Sequence, residues 1–340
     1  MTDPASLVGR LRATAERTVA SALGGRPVDA LIDFPNYPNP GDTAIWLGQL
    51  ACLRSLGIGG PRFTCDFRTY DRNALAHSLD GGVILLTGGG SFGDLWPIGQ
   101  ECREDILRSF PDHPVIQLPQ SIHFENRDAM DGARRVLEGH RDFTLLVRDD
   151  RSLEVARREL GVNGVLCPDL ALCLGTLDRP AAAEHDIVWL SRTDRESASP
   201  PPADSDIAVT DWIDEPETVL RRVNYALMGA AVRRPSSRLW RSLLVRTYGP
   251  LAKRRLRRGL RVLARGRVVI TDRLHGHILS LMMGVPHVVL DNTYGKISSF
   301  HRTWTAGADG VRIAGSAAEA VALARQLAGN APAAAASGGS

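Results

Sequence analysis

The chain has 340 residues, of which 44% are hydrophobic and 23% charged. That composition is ordinary for a folded globular protein and excludes a disordered or low-complexity chain. Its 41 Lys and Arg residues against 38 Asp and Glu leave a net charge of +3, which is too even to indicate a nucleic-acid-binding protein. The length leaves room for two domains of ordinary size.

The five cysteines show neither the close spacing of a zinc or redox site nor an even number for a disulfide framework. They are Cys52, Cys65, Cys102, Cys167 and Cys173. No apolar run reaches the ~18 residues of a membrane-spanning helix, and the N-terminus lacks the apolar segment of a signal peptide. We therefore expect a cytoplasmic protein.

The first half of the chain alternates strand-like and helix-like segments. In chain order we predict a helix carrying the apolar positions 7, 11, 15, 19 and 23, a strand at 28–34, a helix at 42–56, strands at 83–87, 113–118 and 143–147, and a helix at 150–160. Continuous apolar strands separated by helices predict a parallel sheet covered on both faces.

A stretch of small and polar residues around 175–184 interrupts this pattern, and a second alternating series follows it. That series has strands at 187–190, near 207, at 268–271 and at 287–291, with helices at 216–231, through the basic segment, from 272 and at 315–328. We predict two α/β domains, residues 1–175 and 176–328, with ligands bound in a cleft between them, and a disordered tail at 329–340.

The most informative motif follows the strand that ends at Thr271. The run Asp272-Arg273-Leu274-His275 begins a helix there, and a helix N-terminus favours an anion. Arg273 can hold a phosphate or carboxylate with two hydrogen bonds, and His275 can donate a proton near neutral pH. Alternatively, Asp272 is only a helix cap and His275 only a residue of the first turn.

Two further arginines, Arg148 and Arg192, directly follow predicted strands. Because ligands of parallel sheets bind at the carboxyl ends of strands, both are candidate anion ligands. A salt-bridged helix start explains Arg148 equally well, since Asp149 and Asp150 follow it.

The segment Thr87-Gly88-Gly89-Gly90 belongs to a G-x-G-x-x-G pattern after a strand. A dinucleotide site also needs a helix that opens at once and an acidic residue after the next strand. Trp96-Pro97 interrupts the region, so we favour a tight glycine loop, through Gly89 and Gly90, that lets a ligand approach the backbone.

Two loops in the first half carry further candidates. The turn Asn39-Pro40-Gly41-Asp42 is either a capped helix start or a site at which Asp42 orients a sugar hydroxyl. His123, soon after a strand end, either lines an acceptor pocket or satisfies a loop hydrogen bond.

Residues 233–267 hold thirteen Lys or Arg and no acidic residue, with leucines interleaved. Basic amphipathic helices of this kind bind anionic membrane surfaces, although a solvated helix with its leucines on the core is the simpler alternative. No recognition motif for nucleic acid accompanies the segment.

Taken together, these motifs resemble the polysaccharide pyruvyl transferase family, and the exopolysaccharide enzymes within it. The resemblance covers about residues 30–305 and is carried by 269–277, 284–287 and 291–296, with Asn39–Asp42, Thr87–Gly90, Gln117–Ser121 and Arg148-Asp149 in family order. It implies a glycosyltransferase-B-like arrangement of two Rossmann-like halves, with the acceptor on the first and the donor on the second.

The resemblance also implies an activity: transfer of pyruvate from phosphoenolpyruvate to a sugar as a ketal, without a metal or cofactor. The donor site is implied to contain Arg273-Leu274-His275 and Arg148. His275 then acts as general acid, and Asp42 or Asp272 as the base that deprotonates the hydroxyl. The acceptor is a polysaccharide or glycolipid precursor, either soluble or lipid-linked at the inner face of the membrane.

Two alternatives remain at this point. One is a glycosyltransferase of the same architecture that uses a nucleotide-sugar donor, and the other is a non-catalytic basic protein on a membrane surface.

Overall fold

The computed structural model describes residues 2–192, 206–291 and 295–330. The strands are β1 Val28–Ile32, β2 Phe63–Cys65, β3 Val83–Leu86, β4 Gly89–Gly93, β5 Val115–His123, β6 Phe143–Val147, β7 Val165–Leu166, β8 His185–Leu190, β9 Ile207–Thr210, β10 Gly266–Thr271, β11 His287–Leu290 and β12 Val311–Ala314. The helices are α1 Pro4–Leu23, α2 Pro40–Ser55, α3 Arg72–Ala76, α4 Pro97–Ser109, α5 Arg127–Glu138, α6 Asp150–Arg158, α7 Val219–Arg233, α8 Arg238–Ala264, α9 Leu274–Met282, α10 Lys296–Phe300 and α11 Ala317–Asn330. A 3₁₀-helix covers Leu170–Leu174 and a π-helix His301–Thr305.

The strands form two parallel sheets. The first has the order β2-β1-β3-β5-β6-β7, with β4 paired to β5, and the second has the order β9-β8-β10-β11-β12. Every pairing between named strands is parallel. Both orders place the first strand of the series between the second and the third, as in Rossmann-like folds. The order in which strands are added to each sheet therefore reverses beside β1 and beside β8, and we call these places the reversal points.

Burial explains why these segments are strands. All five residues of β1 and all four of β3 are buried, and all of them except Asp29 are apolar, as expected of strands covered on both faces. The α/β class with parallel sheets, predicted from continuous apolar runs, is confirmed.

The glycine run differs from the expected loop. Residues 89–93 form strand β4, and the following helix, α4, begins only at Pro97. The dinucleotide fingerprint requires a helix directly after the glycines, so this geometry excludes that alternative. Strand β12 was also missed, because its pattern of buried ends and exposed centre is short and weak.

The chain divides into two compact units by contact density. The first-sheet unit comprises residues 10–174 and 215–255, and the second-sheet unit comprises 1–9, 175–214 and 256–340. The division into domains at residue 175 stays a prediction, and residues 215–255 group with the first sheet. Their apolar side chains Ala231, Leu244, Tyr248 and Ala252 belong to the core cluster of the first sheet, a return of the chain that linear sequence does not reveal.

Within the described residues, no helix is long and apolar enough to cross a membrane. Of the predicted tail, residues 329 and 330 close α11, and the rest lies outside the described residues. Cys52, Cys167 and Cys173 are buried in the core of the first sheet.

Candidate active site

The reversal point of the second sheet brings β8 and β10 side by side, with Leu190 opposite Thr271 in register. The two residues that follow these strands, Arg192 and Asp272, meet there. The backbone N–H of Arg192 donates to Oδ1 of Asp272 at 3.0 Å. Ligands of such sheets bind in the crevice at this point, so the edge after β8 and β10 is the expected ligand-binding site.

Asp272 has unusual surroundings for a carboxylate. It is only 1% exposed, and its Oδ2 has no hydrogen-bond partner among the described residues. Burial raises the pKa of Asp272 to about 6, and the positive charges of Arg192 and Arg273 only partly offset that rise. A carboxyl group with a pKa near neutrality and an open oxygen is suited to proton transfer.

Arg273 caps α9 and is held by a residue from the end of β9. Its Nη2 donates to both carboxylate oxygens of Asp211, each at 2.8 Å. The guanidinium carbon lies 5.9 Å from the ring centre of Trp212, which is fully buried. The arginine is therefore fixed in position at the N-terminus of a nine-residue helix.

The start of α9 packs directly against β10. A Cβ placed on Gly276 would lie 2.4 Å from Oγ1 of Thr271 and 3.1 Å from Leu190, so only glycine allows this approach. The Oγ1 of Thr271 accepts a hydrogen bond from the N–H of Arg273 at 3.0 Å. Leu274 is buried and His275 is 9% exposed in this first turn.

A chain of hydrogen bonds fixes α9 from below. The carbonyl of Val285 can only accept, so Nδ1–H of His287 donates to it (2.8 Å) and Nε2 of His287 accepts from Nδ1–H of His277 (2.7 Å). Nε2 of His277 then accepts from the Thr305 hydroxyl (2.9 Å), whose oxygen accepts from Nδ1–H of His301 (2.9 Å). Burial lowers the pKa of His277 well below its usual range and that of His287 to about 4. All three imidazoles are therefore neutral, and His277 serves the structure rather than the chemistry.

The reversal point of the first sheet carries Asp33, directly after β1. Among the described residues it is the only non-glycine with a positive φ, at 72°. Its Oδ1 accepts from the N–H of Phe67 at 3.3 Å. Burial, followed by the nearby charge of Asp66, raises the pKa of Asp33 to about 6, against the lowering effects of Arg103 and Arg68. Strained backbone of this kind clusters at functional sites.

The predicted turn before α2 forms as a capped helix start. Asn39 caps the helix, and its Oδ1 accepts from the N–H of Gly41 at 3.0 Å. Oδ2 of Asp42 accepts from Tyr37 Oη at 3.0 Å and from Asn39 Nδ2 at 2.7 Å. The capped helix start is therefore confirmed, whereas the alternative that Asp42 orients a sugar hydroxyl stays a prediction.

The glycines after β3 allow close backbone packing. Gly89 has φ 142°, and a Cβ on Gly88 would lie 2.7 Å from the carbonyl of Pro119. Gly90 lies in the same strand, β4. In this structure protein backbone makes the close approach at Gly88, and the approach of a ligand at Gly89 and Gly90 stays a prediction.

Arg148 lies in the core of the first-sheet unit. Its side chain is 1% exposed and pairs with Asp169 at 2.5 Å, and its Nε donates to Oγ of Ser121 at 2.9 Å. The hydroxyl of Ser121 in turn donates to Asp149. The guanidinium of Arg148 is thus held by protein groups in this structure, and its contact with a donor stays a prediction.

His123, the last residue of β5, is partly exposed, with Nε2 3.8 Å from Oε1 of Glu125. It stays a candidate without further support. Among the described residues no group of three His, Cys, Asp or Glu side chains is arranged to hold a metal.

Sequence reasoning missed Asp33, Asp211 and Trp212. The acids follow strands β1 and β9, so the strand-end rule that selected Arg148 and Arg192 would have found them too. Asp33 was passed over because nothing in its neighbours signals a positive φ.

The chain is similar in sequence to known proteins. Residues 39–294 match the family model described as Polysaccharide pyruvyl transferase. The chain is 32% identical to Pyruvyl transferase 1 of Schizosaccharomyces pombe over 298 residues, covering 84% of this chain and 72% of that protein. It is 28% identical to "Putative pyruvyl transferase EpsO" of Bacillus subtilis over 290 residues, covering 83% and 86% of the two chains.

The fold also has a counterpart among solved structures. The uncharacterized protein KP1_0663 of Klebsiella pneumoniae superposes with a TM-score of 0.59 at 15% identity, covering 90% of this chain and 99% of that one. The family match spans most of the sequence, and it includes the Asp272–His275 motif at the reversal point of the second sheet. The chain belongs to the polysaccharide pyruvyl transferase family.

Proposed function

We propose that this enzyme transfers pyruvate from phosphoenolpyruvate to two hydroxyls of a saccharide, forming a ketal. The observation that carries the proposal is the grouping of Arg192, Asp272, Arg273 and His275 at one edge of the second sheet. This group of residues supplies two cations, a helix N-terminus and two proton-transfer groups. Transfer of pyruvate from an anionic enol phosphate requires all three features.

The donor anion is bound by charge. Phosphoenolpyruvate carries a phosphate and a carboxylate, and Arg273 offers N–H donors whose direction is fixed by Asp211 and Trp212. The free N–H groups at the start of α9 add positive potential at the same place. Arg192 contributes a second cation beside Asp272.

The proton steps follow from the two titratable groups. His275 protonates the methylene carbon, so that the adjacent carbon becomes the electrophile attacked by a saccharide hydroxyl. Phosphate then leaves and the second hydroxyl closes the ketal. One hydroxyl proton replaces the proton delivered to the methylene, and the other leaves with phosphate.

Asp272 is the better of the two predicted bases. Its Oδ2 is buried without a hydrogen-bond partner among the described residues, whereas Oδ2 of Asp42 already accepts two hydrogen bonds. A pKa of about 6 leaves Asp272 mostly ionised at neutral pH yet able to take a proton.

The acceptor saccharide is proposed to bind the first-sheet unit, at the edge that carries Asp33. Exposed aromatic rings with nearby carboxylates suit a sugar. Tyr37 and Trp96 are 36% and 46% exposed, and Trp96 caps α4. A Cβ on Gly99, in the first turn of that helix, would lie 3.9 Å from Oδ2 of Asp33.

We place the reaction in the cytoplasm, where phosphoenolpyruvate is made, with the acceptor carried on a lipid at the inner face of the membrane. A peripheral membrane contact is supported by the exposed cations of α8. No resident metal or cofactor enters the proposal.

Donor binding tests the proposal directly. Thermal shift and calorimetry with phosphoenolpyruvate are expected to show binding by the wild type and by H275A, and its loss in R273Q. The partly exposed, ion-paired Arg267 of the same unit provides a charge-matched control, R267Q. Binding of a nucleotide sugar in place of phosphoenolpyruvate would overturn the proposal in favour of a glycosyltransferase.

A further inference from the structure

Residues 218–271 contain fifteen Lys and Arg and no acidic residue. Of this segment, α7 and the part of α8 up to Arg254 belong to the first-sheet unit. The two helices pack against each other, since Nδ2 of Asn224 donates to the Thr247 hydroxyl at 2.9 Å. A four-residue connection, 234–237, joins them, and we call residues 219–254 the α7–α8 hairpin.

Both helices of the hairpin bury their inner faces in the same core. Ala231 of α7 and Leu244, Tyr248 and Ala252 of α8 all belong to one buried cluster. Arg241 also turns inward, with its guanidinium 4.3 Å from the ring centre of Phe63. Because both inner faces meet one core, both outer faces point away from it on the same side.

The outer face combines cations with apolar side chains. Seven exposed cations lie on it, namely Arg222, Arg233, Arg234, Arg238, Arg246, Lys253 and Arg254. Four of the ten exposed large hydrophobic side chains of the described residues lie there too, namely Val219, Val223, Val232 and Leu239. Val232 is 44% and Leu239 63% exposed, and with three arginines they flank the turn between the helices.

The nearest acids lie outside this face. Glu215 is buried against Arg255, and Glu217 pairs with Arg221 before the first turn of α7. Oδ2 of Asp71 accepts a hydrogen bond from the Ser236 hydroxyl at 3.3 Å, at the turn between the helices. The hairpin itself contributes seven exposed cations and no acidic residue to this face.

We propose that the outer face of the α7–α8 hairpin docks on an anionic lipid bilayer, with Val232 and Leu239 entering the headgroup region. Charge complementarity supplies the attraction, at about 1 kcal/mol for each cation near the surface, and exposed valine and leucine side chains gain by leaving water. Nucleic acid would use the cations but leave these apolar side chains in water, and no exposed aromatic ring on the hairpin offers a stacking platform. The inference rests on the proposed function only in its purpose, which is to hold the enzyme at a lipid-linked acceptor.

The test is co-sedimentation of the full chain with vesicles of phosphatidylcholine alone or mixed with phosphatidylglycerol. Binding is expected only with phosphatidylglycerol and is expected to weaken with added salt. R233Q/R234Q/R238Q should weaken it on the order of a hundredfold, at about 1 kcal/mol for each charge. V232S/L239S should weaken it roughly tenfold at unchanged charge.

A triple variant of exposed arginines elsewhere in the same unit, R108Q/R134Q/R141Q, removes equal charge and should bind vesicles as the wild type does. Equal weakening by this control would overturn the inference, as would tight binding to duplex DNA that V232S/L239S leaves unchanged. A dimer of the wild type that V232S/L239S dissolves, without any vesicle binding, would also overturn it.

The two proposals fail separately. Phosphate release from phosphoenolpyruvate with a water-soluble acceptor should be unchanged in every hairpin variant. Vesicle binding without this turnover would remove the proposed function alone, and turnover without vesicle binding would remove the docking surface alone.

Discussion

Asp211 and Arg273 form an ion pair in which both carboxylate oxygens lie 2.8 Å from the same nitrogen, Nη2 of the arginine. The pair joins the end of β9 to the N-terminus of α9, and neither side chain is more than 14% exposed. A charge pair of this burial fixes direction more than it adds stability. Asp211 is therefore a positioning residue for Arg273, the arginine that we propose to bind the donor.

Replacing Asp211 by Ala should free the guanidinium of Arg273 to rotate. We expect the KM for phosphoenolpyruvate to rise about tenfold or more, since a fixed hydrogen bond to a charged group contributes roughly 1.5 to 3 kcal/mol, with a smaller effect on kcat. D186N, which breaks an exposed pair with Arg267 in the same unit, is the control and should change neither constant. Tighter donor binding by D211A would show that Asp211 competes with the donor instead.

Replacing Asp272 by Asn should abolish turnover and change how stability depends on pH. The folded-state pKa is raised from 3.8 to about 6, so the folded protein binds the extra proton between these values and wild-type stability falls as pH rises through that window. The variant lacks this loss. The difference in unfolding free energy, D272N minus wild type, should therefore increase by about 3 kcal/mol as pH rises across the window. Between about pH 5 and pH 8 it should increase by about half of that.

Urea unfolding of both proteins at several pH values measures this difference. A constant difference between wild type and D272N across the range would mean that Asp272 titrates normally, and the proposed base would lose its main support.

Gly276 and Gly249 provide a matched pair of helix glycines. A Cβ at Gly276 meets Thr271 at 2.4 Å, whereas a Cβ at Gly249 meets nothing within 4 Å. G276A should destabilise the protein by about 1 to 3 kcal/mol and displace His275, while G249A should stabilise it by up to about 1 kcal/mol. Thermal unfolding decides, and equal effects of the two changes would contradict the packing described for α9.

Replacing Asp33 should increase the stability of the protein and weaken its binding of the acceptor. Its φ of 72° suits glycine or asparagine, and its burial disfavours the charge. D33G and D33N should therefore be at least as stable as the wild type near pH 8, by up to about 1 kcal/mol, while the KM for the acceptor rises. Lower stability in both variants would assign Asp33 a purely structural role.

The sequence was most informative where a pattern is local. Continuous apolar runs predicted the parallel strands, and β6 was placed at its observed ends, 143–147. The position of Arg273 between a strand and a helix was also predicted. These features depend on neighbours within a few residues, which periodicity and capping rules describe.

Features that depend on distant contacts were not predictable. The pairing of Arg148 with Asp169 joins residues 21 positions apart and converts a candidate ligand into a core residue. The return of residues 215–255 to the first-sheet unit depends on side chains such as Tyr248, whose hydroxyl donates to the carbonyl of Pro35. Tertiary packing of this kind decides which unit a basic segment joins, and composition does not reveal it.

The central claim is pyruvate transfer from phosphoenolpyruvate, and phosphate release in the presence of saccharide acceptors measures it most directly. The account predicts acceptor-dependent release, a product whose mass increase matches a pyruvate ketal, and turnover reduced about a hundredfold or more in H275A with donor binding retained. Phosphate release that H275A leaves unchanged, or no release with any acceptor from a protein that binds phosphoenolpyruvate, would contradict it.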